Sequence, residues 1–398
     1  MRIYEVYRRV IKGKSMYLIL DKVFAFIIIL IMSIGVYIFL KTPIEKSYLE
    51  NRSLTKFQVP TLKKFLNKSM QDNIENSLSD QFPYGRTIKN YAMKYLNFID
   101  YKNIDNRICS GKNVYVAKDY VIYNCSDQIM GAPIKDYDEK VIKNKLNIFS
   151  KMNDYIDTSY YALDRADAWD FSKNELLFNS YEVLKSNLTG EYNISRLDVN
   201  NYDEFYRYFY KTDHHWNYIG SYQGYKDIFK LLDIEGEPLK PTNTRILKNF
   251  YGSQAKSSRV LSISEDFIYY DYDLKKHSEY INGKKGSYGN YNYNEKISYM
   301  NYYEAVYGRD FVEVMYDYNE PEKDNLLILG TSYTDPINRL VASHFDKTFV
   351  VDARYYKNYD GSPLNLKDYI DEHHIDRVLV LASTEMITNN LDNLKWGD

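Results

Sequence analysis

The sequence predicts an α/β fold, a parallel sheet flanked by helices, preceded by one N-terminal transmembrane helix. Three observations predict it. From residue 325 onward, apolar runs of strand length alternate with helical patterns, as right-handed crossovers in a parallel sheet require. Residues 23–40, VFAFIIILIMSIGVYIFL, form an apolar run without a charge. The chain as a whole combines 44% hydrophobic with 27% charged residues, which describes a folded chain rather than a disordered one. The net charge of −2 supplies no overall field for nucleic acid.

As a helix the 23–40 run spans roughly 27 Å, enough for a bilayer core. Arg2, Arg8, Arg9, Lys12, Lys14 and Lys22 precede it, against Glu5 and Asp21. Basic flanks stay cytoplasmic, so the remainder is expected outside the cell membrane. The run is long for a cleaved signal peptide and no small-x-small site follows it, which favours a retained signal anchor. The expected organisation is a cytoplasmic basic tail (1–22), the anchor (23–40), a helical juxtamembrane region (41–107) and a catalytic domain (108–398).

In the juxtamembrane region, Leu62, Phe65, Leu66, Met70, Ile74 and Leu78 recur at helical spacing. SDQFPYGR breaks the pattern, and Ile88, Tyr91, Ala92, Tyr95, Leu96 and Ile99 make a second stripe. Plain core packing is the expected use of both. NVYVAKDYVIYN then reads as a hairpin, 138–155 as a helix with Ile142, Leu146 and Phe149 on one face, and 158–164 as a strand. The stretch 165–200 has no clear assignment. Residues 233–322 are polar and rich in Tyr, Gly and Asn, too long for a bare loop, and are expected to form an insertion of short strands shaping a groove. The 44 tyrosines have two readings, sugar-binding clefts or the composition bias of an AT-rich genome, and bias is the simpler. Cys109 and Cys125 would close a small loop in an oxidising compartment, and would be two small buried side chains in a reducing one.

At the end, strands are expected at 325–330, 348–353 and 377–383, with helices at 335–345 and over LNLKDYIDEHH. Chemistry in such sheets gathers beyond the carboxyl ends of the strands, which selects GTSYTD, residues 330–335. Gly330 permits a tight turn, Ser332 would project as a nucleophile, and its N–H would face an oxyanion. Most serines after a strand merely cap the next helix, so Ser332 needs a base. KTDHHW supplies one. In an extended segment Asp213 and His215 leave on the same side, so the carboxylate can hold one ring nitrogen while the other faces the serine. Asn217 is the expected N-cap of the following helix, and Gly220 and Gly224 let that helix pack closely. A metal site of Asp213, His214 and His215 is the competing reading, but adjacent histidines seldom bind one ion together and no further ligand cluster is evident; none is expected.

KTDHHW with its Gly-containing helix, FYGS at 250–253, GTSYTD, VVDARYY at 350–356, and the earlier ENRSL and DQFPYGR together resemble the DHHW family. That family is similar to the alginate O-acetylation proteins, with SGNH-hydrolase-like domains. The resemblance covers nearly the whole chain after the anchor. It implies Ser332 as nucleophile, His215 as general base and Asp213 as orienting acid, with Asp-x-His preceding the Ser motif. Arg354 and Tyr333 are implied substrate contacts, and Gly252 with Asn389 or Asn390 are the candidates for the oxyanion site. Thr331 stands where relatives often carry Asp, and receives no role. The implied activity is transfer of an acetyl group through a Ser332 ester to hydroxyls of a secreted polysaccharide, without cofactor. Implied partners are a multi-pass membrane O-acyltransferase as donor and a polysaccharide synthase or export complex. An acetylesterase using the same triad, or a non-catalytic anchored glycan-binding scaffold, are the alternatives. Palmitoyltransferases carry Cys where Trp216 stands, and DHH phosphoesterases need dispersed metal motifs that are not seen here.

Overall fold

The computed structural model describes residues 110–397 except 118, 290–292 and 390–392; before these it describes 21–37, 43–50, 52–59, 61–66, 69–81, 91, 92 and 95. The basic residues ahead of Lys22, residues 38–40, Phe82 to Arg86, Ile88, Leu96, Ile99, Cys109 and Asn390 lie outside the described residues. The chain divides into two compact units, Met1–Tyr95 and Leu96–Asp398.

In the first unit, residues 21–37 are helical and most of their apolar side chains are exposed, Phe24 and Phe26 among them. Among the described residues no helix is long and apolar enough to cross a membrane. Arg52 of ENRSL forks onto Asp80 at 2.9 and 2.5 Å, and the Thr55 N–H donates to the same carboxylate at 2.8 Å. Gln81 Nε2 donates to the carbonyls of Ile44 and Thr55, so the two sequence motifs that flank the helices Leu62–Leu66 and Ser69–Gln81 hold each other. The expected core stripe is corrected here. Leu62, Phe65, Leu66, Ile74 and Leu78 are exposed, and the buried residues of the second helix are Ser77 and Asp80. The polar Asp80 lock, not the apolar face, organises this segment.

The second unit is built on an eight-stranded sheet. Its strands are β1 (Asp157–Leu163), β2 (Asn193–Arg196), β3 (Ser278–Ile281), β4 (Lys284–Gly286), β5 (Glu313–Asp317), β6 (Leu326–Leu329), β7 (Lys347–Val351) and β8 (Arg377–Ser383). The order across the sheet is β4-β3-β5-β7-β6-β8-β1-β2. From β7 to β2 every pairing is parallel, with Leu326 opposite Thr348 and Arg377, and Arg377 opposite Asp157. β6 is buried at all four positions, as a strand covered on both faces should be. β3, β4 and β5 add antiparallel strands at one edge. The sheet is therefore mixed rather than wholly parallel, and part of the polar 233–322 stretch extends it instead of standing apart.

Helix α1 (Glu139–Asn153) starts at Asp138, whose carboxylate accepts from the N–H groups of Lys140 and Val141. It buries Ile142, Leu146 and Phe149, the face the spacing predicts. Lys145 on the same helix is buried and donates to the carbonyls of Met386, Ile387 and Asn389 at 2.7, 3.2 and 2.5 Å, closing the helix that follows β8. Helix α2 (Tyr218–Leu231) starts at Asn217, whose side chain accepts from Ile219 and Gly220. A Cβ at Gly224 would strike the ring of fully buried Trp216, so this glycine is what lets α2 lie against it. The unassigned 165–200 stretch holds a short strand pair, the helix Ser180–Asn187 and β2. Asn113–Ala117 and Tyr120–Tyr123 form the expected hairpin, joined by Ile129–Gly131. Cys125 is disulfide-bonded; its expected partner, Cys109, is not described.

Candidate active site

Parallel strands present all their carboxyl ends at one edge, and the residues just past those ends gather there. β1 leads into Asp164 and Arg165, β6 into Gly330–Ser332, β7 into Asp352 and Arg354, and β8 into Thr384 and Glu385. Ser332 opens a 3-10 turn, Ser332–Thr334, and the helix α3 (Asn338–Ala342) begins only later. The single helix expected from Asp335 is thus replaced by a tight turn and a shorter helix. Pro336 lacks the N–H that would join them.

The segment before α2 brings the base. His215 Nε2 lies 2.8 Å from Ser332 Oγ, and His215 Nδ1 lies 2.6 Å from Asp213 Oδ1. Asp213 is buried, which opposes its ionisation, yet His215 beside it and the 2.7 Å hydrogen bond from the Ser253 N–H hold it far below the usual carboxylate range. The Tyr303 ring lies flat on His215, with centroids 3.9 Å apart and planes 9° from parallel, and its O–H donates to the Ser332 carbonyl at 2.7 Å. His214 stands beside this line rather than in it. Its Nδ1 meets Ser253 Oγ at 2.7 Å, and burial together with nearby His215, Arg165 and Arg354 keeps it neutral against the pull of Asp213.

Asp213, His214 and His215 place ligand-capable atoms within 4.8 Å of one another. However, both His215 nitrogens and His214 Nδ1 already face hydrogen-bond partners, so this arrangement suits proton transfer better than ion binding.

The remaining predicted residues take other places. Tyr333 is buried and donates to the His214 carbonyl at 2.6 Å, which positions the histidine pair. The Gly252 N–H donates to Thr212 Oγ1 at 3.0 Å and so faces no oxyanion; a Cβ there would collide with Asp213 and the Thr212 carbonyl. Gly252 is a close-approach residue. Asn389 donates to Glu385 at 3.2 Å and its carbonyl accepts from Lys145, so it belongs to the helix end. Arg354 grips Asp352 through Nε and Nη2 and reaches Glu385 at 3.2 Å. Arg165 meets the same Glu385 at 2.8 Å. Glu385 thus bridges Arg165, which follows β1, and Arg354, which follows β7. Sequence reasoning missed Tyr303, Arg165 and Glu385, and quoted Ser253 in FYGS without a role. Arg165 and Glu385 were accessible to the strand-end rule that selected Ser332; Tyr303 carried no signal.

Beside Ser332 a cavity of about 20 Å³ is walled by Gly330, Thr331, Asp335 and Asp352. Among the described residues the Thr331 hydroxyl, buried there, has no hydrogen-bond partner. Burial, with Asp310 and Asp352 nearby, pushes the Asp335 carboxyl well up, and Tyr288 O–H lies 2.7 Å from it.

No family model and no curated protein matches the chain. Among solved structures it is similar to a DHHW family protein from Eubacterium siraeum, at 16% identity over 72% of this chain and 98% of that one, with a TM-score of 0.55. The chain shares the DHHW family fold. Bacillus cereus PatB1 is similar at 16% identity over 69% of this chain and all of that one, also with a TM-score of 0.55. PatB1 has also been solved with a sulfonyl adduct.

Proposed function

We propose that the chain is a membrane-anchored, extracytoplasmic O-acetyltransferase that carries an acetyl group on Ser332 and passes it to hydroxyls of a secreted polysaccharide. The observation that carries this reading is the unbroken hydrogen-bond line from Asp213 through His215 to Ser332. Ser332 Oγ attacks the acyl carbonyl of the donor while His215 Nε2 takes its proton. The negative oxygen that forms lies beside the Ser332 N–H, at the start of the 3-10 turn where no intrahelical acceptor exists. His215 returns the proton to the leaving group, and the acyl ester remains on Ser332. An acceptor hydroxyl then gives its proton to His215 and attacks the ester. The proton returns to Ser332 Oγ as the product leaves. Asp213, fixed as a carboxylate, stabilises the imidazolium in both steps.

The anchor is the 23–40 run, and an extracytoplasmic site calls for a donor that brings acyl groups across the membrane, a multi-pass O-acyltransferase beside a polysaccharide synthase or export complex. Extraction of cell membranes tests the anchor: the chain should resist carbonate and need detergent, and removal of 1–40 should release it.

The enzymatic reading is tested on the full chain with an acetyl ester, with and without a polysaccharide acceptor. Ser332→Ala is expected to lower turnover by roughly 10⁴-fold or more, and a sulfonyl fluoride should mark Ser332 in the wild type alone. Unchanged turnover in the variant would sink the nucleophile assignment. Acetyl release only to water would make the protein an esterase. Normal acetylation in cells carrying Ser332→Ala, lost only on deletion, would make it a scaffold.

A further inference from the structure

The structure holds a second, larger cavity that the acyl chemistry does not use. It measures about 550 Å³, within the range of small-molecule sites, and six tyrosines line it: Tyr218, Tyr269, Tyr270, Tyr272, Tyr293 and Tyr307. Three elements of the active site also build its wall. Tyr218 begins α2, directly after the Asp-His-His-Trp segment. Tyr307 lies one turn along the helix Tyr302–Tyr307 from Tyr303, the residue stacked on His215, and the two rings meet edge to face at 5.1 Å. Asp335, three residues after Ser332, borders both this cavity and the small one beside the serine. A ligand seated among these tyrosines is therefore close to the point of acyl transfer.

The chemistry of the wall narrows the ligand. Aromatic faces receive the C–H faces of sugar rings, and phenol hydroxyls bond their hydroxyl groups. Tyr270 meets Tyr218 edge to face at 5.0 Å and lies near Tyr272, so two rings offer differently oriented faces to one chain. The charges in the wall are matched internally. Arg245 is held by Asp271 at 2.7 Å, and Arg339 by Glu279 at 2.7 Å and by the Gly289 carbonyl. With Asp271 offsetting Arg245 and Glu279 offsetting Arg339, the wall offers a polyanionic glycan no net positive charge, and an uncharged one needs none.

We infer that this tyrosine-lined cavity is the acceptor subsite, and that it takes an uncharged polysaccharide chain of hexose or N-acetylhexosamine units rather than a polyuronate. The inference rests on the acetyltransfer reading for its consequence, but binding can be measured without turnover. The full chain carrying Ser332→Ala is titrated calorimetrically with oligosaccharides of β-linked glucose, of N-acetylglucosamine and of mannuronate. One uncharged series should bind, and adding Tyr270→Ala and Tyr272→Ala should weaken binding about tenfold or more. Tyr270→Phe with Tyr272→Phe should restore most of it, because the ring faces remain. In the chain with Ser332 intact, the double alanine variant should hydrolyse a small acetyl ester as the wild type does, while its KM for the oligosaccharide acceptor rises. That intact hydrolysis also shows that the variant is folded. Binding of no uncharged series, binding unchanged by the alanine pair, or preferential binding of the uronate would each overturn the inference. Loss of ester turnover in Ser332→Ala bears on the acyl chemistry alone, so the two readings fail separately.

Discussion

Tyr303 lies over one face of His215 and Asp213 grips its Nδ1, so the imidazole is held in one plane and one tautomer while its Nε2 faces Ser332. Catalysis by such a line depends on where the proton sits. Asp213→Asn keeps the shape but removes the charge, and is expected to cut turnover by roughly 10³–10⁴-fold. Tyr303→Phe retains the stack and loses only the donation to the Ser332 carbonyl, so its loss should be small, about tenfold or less, whereas Tyr303→Ala should cost more. Kinetics on the three variants compares charge with packing. The triad was legible because Asp-x-His spacing and a strand-end serine each express a local rule. Gly252 was legible as important but not in its role, since its N–H turns to Thr212, and only three-dimensional contact reveals that. Tyr303 comes from a polar stretch with no sustained period, where nothing local distinguishes it from its many neighbouring tyrosines.

Among the elements, α2 and the turn after α3 are tied by a hydrogen bond between Tyr225 O–H and His344 Nε2 at 2.8 Å. Burial, with Lys323 and Lys275 nearby, pulls the His344 pKa down to about 4. The folded chain therefore binds fewer protons here than the unfolded chain between about pH 4 and 6.5, so this site's contribution to stability falls as pH drops through that window. The expected loss from this site is roughly 2–3 kcal/mol, read as the difference between wild type and His344→Gln in urea titrations at pH 7, 5.5 and 4.5. His344→Gln should flatten the slope at this site. The helix pattern of α1 and the cap of α2 were readable from Asp138 and Asn217, because caps and apolar spacing are local. The exposed stripe of Leu62, Phe65 and Leu66 was misread as core, since periodicity reports one-sidedness but not what the side faces.

For the molecule as a whole, Lys145 links α1 to the helix after β8, residues more than 240 apart in sequence. Lys145→Met would leave three carbonyls without a donor, and is expected to cost roughly 3 kcal/mol, seen as a lowered midpoint in thermal melting. The parallel run β6, β7 and β8 was legible from its apolar segments, but the antiparallel edge of β3, β4 and β5 was not, because Tyr, Lys and Glu there mask the alternation. The strand order carries a consequence in time. β8 is the last strand of the sheet to be synthesised, yet it lies in its interior, between β6 and β1. Until residues 377–383 emerge, the nascent chain holds two half-sheets, each with an open edge that can pair with a neighbour. Insertion of β8 joins the Arg165 side to the Ser332 side, so Ser332 gains its full surroundings only once residues 377–383 have been made. A chain truncated before residue 377 should aggregate rather than act slowly, and refolding of the intact chain should wait on this final, long-range closure.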